Sequence, residues 1–332
     1  MMAFARRYGW GVALCAGVSA LAYGLAWGEE LLFGRAWLEA LVLAILLGAL
    51  IRVWWHPGAV WKPGINLCGK LLLEIAIVLL GASLSIMSLL QEGWVLLLGI
   101  VGVVVLAILA SYALGRLFGL PSKMAVLVAC GNSICGNSAI AAVAPVIGAK
   151  AEDVATAIAF TAVLGIVVVL ALPLLVPVFQ LSHAQYGIVA GMTVYAVPQV
   201  LAATMPVSAV SLQVGTLVKL LRVLLLGPVM VVLALIFGSF NGVKMKAYHV
   251  LPWFIAGFLL MAAIRAAGLL PDSLLPWMAH MASLLTVLAM AALGLGVDVR
   301  KVAAAGPRVT AVVVLGLLGL GGLSLLLALY AG

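Results

Sequence analysis

Acidic side chains are what this chain most lacks: nine Asp and Glu stand in 332 residues against 17 Lys and Arg, and charged residues of both signs make up only 8%. With 67% hydrophobic residues there is too little polar surface to cover a water-soluble globule. Apolar runs fill almost the whole of residues 9–330, so no soluble catalytic domain fits. Cysteine is scarce as well: Cys15, Cys68, Cys130 and Cys135 sit in or beside apolar runs, in no pattern of a secreted disulfide framework. The four histidines, His56, His183, His249 and His280, fall in loops or at run ends, which gives no buried proton relay and no metal set. No cofactor and no nucleic-acid partner are expected.

What is present reads as an all-α polytopic membrane protein of about eleven transmembrane helices, at 9–27, 36–55, 70–88, 93–118, 123–148, 154–179, 186–205, 211–238, 250–269, 277–298 and 308–330. The first run follows Arg6 and Arg7 and is kept as a helix, because no small-residue cleavage site ends it. With the N-terminus in the cytoplasm, Arg6, Arg7, Arg52, Lys62, Lys70, Arg116, Lys123, Lys244, Lys246, Arg300, Lys301 and Arg308 face inward. Only Arg35, Lys150 and Arg265 face outward, and the C-terminus lies outside. The expected location is a prokaryotic cytoplasmic membrane, and the expected assembly a homodimer.

Eleven helices divide into an extra N-terminal helix (1–35) and two groups of five (36–179 and 186–330). An odd-numbered unit repeated in tandem enters the membrane upside down the second time, which predicts inverted five-helix repeats. Leu80-Gly81 precedes Gly93 by the twelve residues that also separate Leu293-Gly294 from Gly306. That step pairs the third and fourth spans with the tenth and eleventh, outside the register of a simple five-plus-five repeat, and among 36 glycines it reads as coincidence.

The segment richest in chemistry is Cys130-Gly131-Asn132-Ser133-Ile134-Cys135-Gly136-Asn137-Ser138, in which Cys-Gly-Asn-Ser occurs twice, five residues apart. Gly, Asn and Ser are weak helix formers whose side chains compete for backbone hydrogen bonds, so a break is expected here. Irregular backbone at membrane depth survives only where protein or a water-filled cavity shields it, and a half-helix N-terminus offers an anion free N–H groups. The structural alternative is close helix packing through small residues.

The second feature is Lys219 and Arg222, three residues apart on one face of the eighth span. Each costs about 2.5–3.5 kcal/mol near the bilayer centre, and no Asp or Glu lies at comparable depth. A transported anion would supply the missing charge; the alternative partners are helix-end carbonyls or Glu74. The third is Thr193-Val-Tyr195-Ala-Val-Pro198-Gln199, where proline disturbs the helix beside a buried amide. Freed carbonyls there would bind a cation or water, and a simple kink bridged by Gln199 is the competing account.

The blocks Gly131-Asn-Ser-Ile-Cys135-Gly-Asn-Ser-Ala-Ile-Ala, Pro198-Gln-Val-Leu-Ala-Ala and Lys219-Leu-Leu-Arg222-Val fall in the order found in the YeiH-type putative sulfate exporter family, which the chain resembles from about residue 35 onward. The resemblance implies inverted repeats with broken crossing helices, as in the bile-acid, arsenite and sodium/proton exchanger architectures, and alternating access. It implies that Asn132, Ser133, Gly136, Asn137, Ser138, Gln199, Lys219 and Arg222 line the pathway, with Thr193 and Tyr195 as coupling candidates. Tyr195 stands where many members carry histidine, which puts proton coupling in question. The expectation is a secondary transporter, not an enzyme, moving a small anion such as sulfate, sulfite or an organosulfonate, with a proton or sodium as coupling ion. Sodium- or proton-coupled transport of a cation or organic metabolite is the alternative, and an intramembrane serine hydrolase using Ser133 or Ser138 the remote one.

Overall fold

The computed structural model describes residues 2–33, 40–83, 86–237, 253–297 and 306–331. Arg35, Lys244, Lys246, Arg300 and Lys301, on which the orientation expectation draws, lie outside them, as do His249 and Asp298. Among the described residues all regular structure is helical. In chain order the elements are α1 (Met2–Phe33), α2 (Ala40–Trp54), α3 (62–83, with a π-helical turn at Cys68–Leu72), α4 (Ile86–Leu117) and α5 in two arms, α5a (Ser122–Cys130) and α5b (Asn137–Ile147). After α6 (151–179) come α7 in two arms, α7a (His183–Thr193) and α7b (Val197–Thr204), α8 (209–237), α9 (Trp253–Ala266), α10 (272–296) and α11 (Pro307–Ala331).

By length and apolarity seven of the described helices suffice to cross a membrane: α1, α3, α4, α6, α8, α10 and α11. The protein is thus a multi-pass membrane protein. α2, α9 and the arms of α5 are apolar but shorter.

The chain forms two compact units. One comprises Met1–Met87 with Trp253–Asp298, the other Ser88–Pro252 with Val299–Gly332. In the first, α2 and α10 meet backbone to backbone: a Cβ placed on Gly294 would lie 2.3 Å from the Ile45 carbonyl oxygen. In the same unit α3 meets α9 in the same way, since a Cβ on Gly81 would lie 2.4 Å from the Phe258 carbonyl oxygen.

The second unit holds the candidate site, and here the structure corrects the expectation of broken helices that run on across the bilayer. Residues 122–147 and 183–204 each fold back into a helical hairpin. Lys123 Nζ donates to the Gly148 carbonyl at 2.7 Å, so the two ends of the first segment lie side by side. Tyr186 Oη donates to the Ala203 carbonyl at 2.8 Å and ties the arms of the second. Arms of 9 and 11 residues, at 1.5 Å per residue, reach about half of a 30 Å hydrocarbon core.

The turn of the first hairpin follows from its sequence. A π-helical turn over Gly131–Cys135 loosens the arm, and Gly136 then takes φ 61° and ψ −123°, a conformation essentially reserved for glycine. In the second hairpin the break lies at Val194–Ala196, which is extended, rather than at Pro198. Pro198 sits in the first turn of α7b, where its missing N–H costs nothing, so it starts an arm instead of kinking a rod. Ser182, in a capping box with Gln185, starts α7a.

Candidate functional site

The hairpin tips meet. A Cβ on Gly136 would stand 3.0 Å from Tyr195 Cβ and 3.5 Å from Thr161 Cβ of α6. Each tip brings together the C-terminus of an incoming arm and the N-terminus of an outgoing one. Four helix ends, two of each polarity, therefore converge on one place.

Lys219 and Arg222 complete the C-terminal pair. α8 runs against α7a through small residues: a Cβ on Gly187 would lie 2.9 Å from the Ser211 carbonyl oxygen, and one on Gly191 2.6 Å from that of Gly215. One turn beyond Gly215, Lys219 Nζ donates to the carbonyls of Ile134 (2.6 Å) and Val194 (2.8 Å), one at each tip. Arg222 spans the same gap. Its Nε donates to Ser133 O at 3.2 Å and Nη2 to Asn132 O at 3.2 Å, while Nη1 donates to Gly191 O at 2.8 Å and Val194 O at 3.3 Å. Both cations are fully buried. Of the partners weighed from sequence, the helix-end carbonyls hold them, and Glu74 accepts from Trp253 Nε1 at 2.8 Å instead.

Asn132 and Tyr195 form a brace. Tyr195 Oη donates to Asn132 Oδ1 at 3.0 Å, and Asn132 Nδ2 donates to Val313 O of α11 at 3.0 Å. Thr193 donates to Val189 O within its own arm. Ser133 is buried and its Oγ has no hydrogen-bond partner among the described residues. Lys219, the base candidate for a serine nucleophile, directs both described bonds of its Nζ to carbonyls.

The N-terminal pair is the open side. Asn137 and Ser138 are exposed at the start of α5b, which has no side-chain cap. The Asn137 and Ser138 N–H groups, the first two of the arm, are among those that a helix leaves without an intrahelical acceptor. Thr161 Oγ1 donates to Asn137 Oδ1 and fixes that amide. At the start of α7b, Gln199 is buried, its Oε1 accepting from Ala196 N at 3.2 Å. Gln199 lies flat on α6, where a Cβ on Gly165 would fall 2.4 Å from its Nε2.

All ten residues singled out from sequence thus gather at the two tips and the α8 face behind them, in distinct roles. Thr161 and Gly165 went unnoticed. Their signal was a threonine and a glycine four residues apart on one face of the apolar stretch that follows Thr156.

Among the described residues no group of three or more His, Cys, Asp and Glu is placed to hold a metal. The acidic residues of this unit within the described helices are Glu92, in the second turn of α4, and Glu152 and Asp153, in the first turn of α6, two turns or more from Thr161. A cleft of about 700 Å³ between α4, α5a and the second half of α8 is walled by apolar side chains apart from Tyr112 and Ser122 and does not include the tips.

Comparison with known proteins gives a family-model match, described as Conserved hypothetical protein 698, over residues 10–313. A UPF0324 membrane protein of Brucella melitensis is 59% identical over 311 residues, covering 93% of this chain and 87% of that protein. One of Bradyrhizobium diazoefficiens is 50% identical over 321 residues (96% and 91%). One of Bacillus cereus is 35% identical over 266 residues (78% and 74%).

Proposed function

The chain belongs to the family described as Conserved hypothetical protein 698, the YeiH-type family whose motifs it carries, and on that footing we propose that it is a secondary transporter moving a small anion by alternating access. The charge account at the tips carries this reading. With Lys219 and Arg222 both protonated, two positive charges face two helix C-termini worth about half a negative charge each. About one positive charge is left over, and the two N-termini on the open side add roughly another. Every described hydrogen bond of the two cations runs to a backbone carbonyl and none to a carboxylate. An anion seated on the Asn137 and Ser138 N–H groups, beside Thr161 and Gln199, would balance the excess.

Sulfate, sulfite or an organosulfonate fits best, since a tetrahedral oxyanion offers an acceptor to both N-termini at once. The same geometry speaks against sodium as the coupling ion. In many transporters the unwound carbonyls and half-helix C-termini coordinate Na⁺. Here Lys219 and Arg222 already take those carbonyls, as tethered cations.

The proposed architecture has nine crossings, α1 to α4, α6 and α8 to α11, with α5 and α7 entering from opposite faces. Lys150 then returns to the side of Lys123, leaving only Arg35 and Arg265 on the outward face, with the N-terminus cytoplasmic and the C-terminus outside. An inverted repeat is part of this proposal, with the following register. α2, α3, α4, α5 and α6 correspond to α9, α10, α11, α7 and α8, a cyclic rather than linear order. This pairing puts Gly81 opposite Gly294, and each seats its helix on a neighbour's backbone. Every pair falls within one compact unit.

Proteoliposome uptake of labelled sulfate, sulfite, thiosulfate and a sulfonate tests the function, with sodium replaced by N-methylglucamine in parallel. Saturable anion flux unchanged by that replacement is expected. No flux of any anion under any gradient, with sodium alone stabilising the purified protein, would transfer the case to a cation or metabolite carrier.

A further inference from the structure

We propose that the α1–α3 face of the first compact unit binds the phosphate of an anionic phospholipid. α1 and α3 lie in backbone contact, since a Cβ on Gly64 would fall 2.2 Å from the Tyr8 carbonyl oxygen and one on Gly11 2.2 Å from that of Trp61. This contact sets Arg7 of α1 beside Lys62, Asn66, Lys70 and Glu74, which recur every fourth residue along α3. Together they line a pocket of about 540 Å³.

Its charge is unbalanced. Three cations share it with one carboxylate, and Glu74 Oε2 already accepts the Trp253 indole N–H at 2.8 Å. Arg7, Lys62 and Lys70 make no ion pair with a described residue. Arg7 lies over the Tyr8 ring, 5.6 Å from its centroid, and lines the pocket, where its guanidinium can take a phosphate oxygen.

The surroundings specify a lipid rather than a free phosphate. Trp61 stacks edge-on against Trp10 at 5.8 Å and Trp55 at 5.3 Å, and Trp54 is 83% exposed: these are indoles grouped as at a membrane–water boundary. Below that belt Leu67 and Leu71 wall the pocket, and Leu71 and Ile75 are exposed further along α3. A headgroup phosphate among the cations would place its acyl chains along those leucines. Lys70, about 12 Å along the helix from Lys62, reaches back to the same phosphate on its long side chain.

The test is the unfolding midpoint of the whole protein in detergent, titrated with phosphatidylglycerol, with phosphatidylcholine of the same chains, and with glycerol 3-phosphate. Phosphatidylglycerol alone should stabilise. The triple variant Arg7→Gln, Lys62→Gln, Lys70→Gln should weaken its apparent affinity about fivefold per cation, on the order of a hundredfold in all. Arg308→Gln, an exposed cation of the other unit, should change nothing. Equal response to both lipids, or an equal loss in the Arg308 variant, overturns the proposal. Full stabilisation by glycerol 3-phosphate replaces the lipid by a soluble phosphate. Should the triple variant fold poorly, a photoactivatable phosphatidylglycerol on the wild type decides: adducts at 62–75 support the site, and adducts only elsewhere refute it.

Discussion

Replacing Arg222 by methionine removes the donor shared by four carbonyls while keeping most of the side-chain volume. Val194 O retains Lys219 at 2.8 Å, but Asn132, Ser133 and Gly191 lose the only side-chain donor that reaches them among the described residues. A buried acceptor left unsatisfied costs about 1–3 kcal/mol. Three give at least ~3 kcal/mol, and removing a buried guanidinium returns part of its desolvation cost, so the net loss is about 3–5 kcal/mol. Lys219→Met strands only Ile134 O, because Val194 O keeps Arg222 at 3.3 Å, and should cost about 1–3 kcal/mol. Arg222→Lys keeps the charge but cannot fork across both tips, so it should fall between them. The four cysteines are buried and free, and Cys130 and Cys135 flank the first tip, so a thiol-reactive fluorogenic dye reports unfolding directly. The expected order of midpoints is wild type, Lys219→Met, Arg222→Lys, Arg222→Met. An Arg222→Met protein within about 1 kcal/mol of wild type, or one more stable than Lys219→Met, would refute the role of these cations as caps for both hairpins.

Gly136→Ala should destabilise by about 1–3 kcal/mol, because φ 61° with ψ −123° admits no Cβ readily and that Cβ would press on Tyr195; an unchanged dye-reported midpoint would show that the turn relaxes. Gly165→Ala drives a methyl into the Gln199 amide and should weaken anion affinity at least tenfold, with stability lowered by no more than about 2 kcal/mol; equilibrium anion binding measures the first and the same dye the second. Tyr195→Phe removes one buried hydrogen bond and should cost about 1 kcal/mol while leaving the pH profile of flux in place. A flattened profile would make Tyr195 part of proton coupling instead.

The helical, membrane-embedded character was legible because composition and run length decide it without tertiary knowledge. Both breaks were legible too, from the doubled Cys-Gly-Asn-Ser block and from Pro198. What remained hidden was that the chain reverses at them. A broken rod and a hairpin have the same hydropathy and the same Gly, Asn and Pro content, since hydropathy counts residues in lipid and is blind to direction. The deciding contacts, Lys123 with Gly148 and Tyr186 with Ala203, join residues 25 and 17 apart through a side chain and a backbone carbonyl, and backbone acceptors leave no trace in the sequence.

Lys219 and Arg222 show where pattern reasoning about charge goes astray. A buried cation without a nearby carboxylate suggests an absent anionic partner, and sequence contains no term for the half charge at a helix end. Four such ends meet at the tips, so the cations find their partners in Asn132, Ser133, Ile134, Gly191 and Val194, residues whose side chains are irrelevant to the bond. An anion at the open side would therefore sense Lys219 and Arg222 through the field of the capped ends rather than by contact. Neutralising either cation should then lower anion affinity less steeply than uncapping the outgoing arms, where the ligand's own hydrogen bonds are made. That difference separates a ligand held by N–H groups at Asn137 and Ser138 from one held directly by the guanidinium. Only the second requires the tips to part before the anion binds.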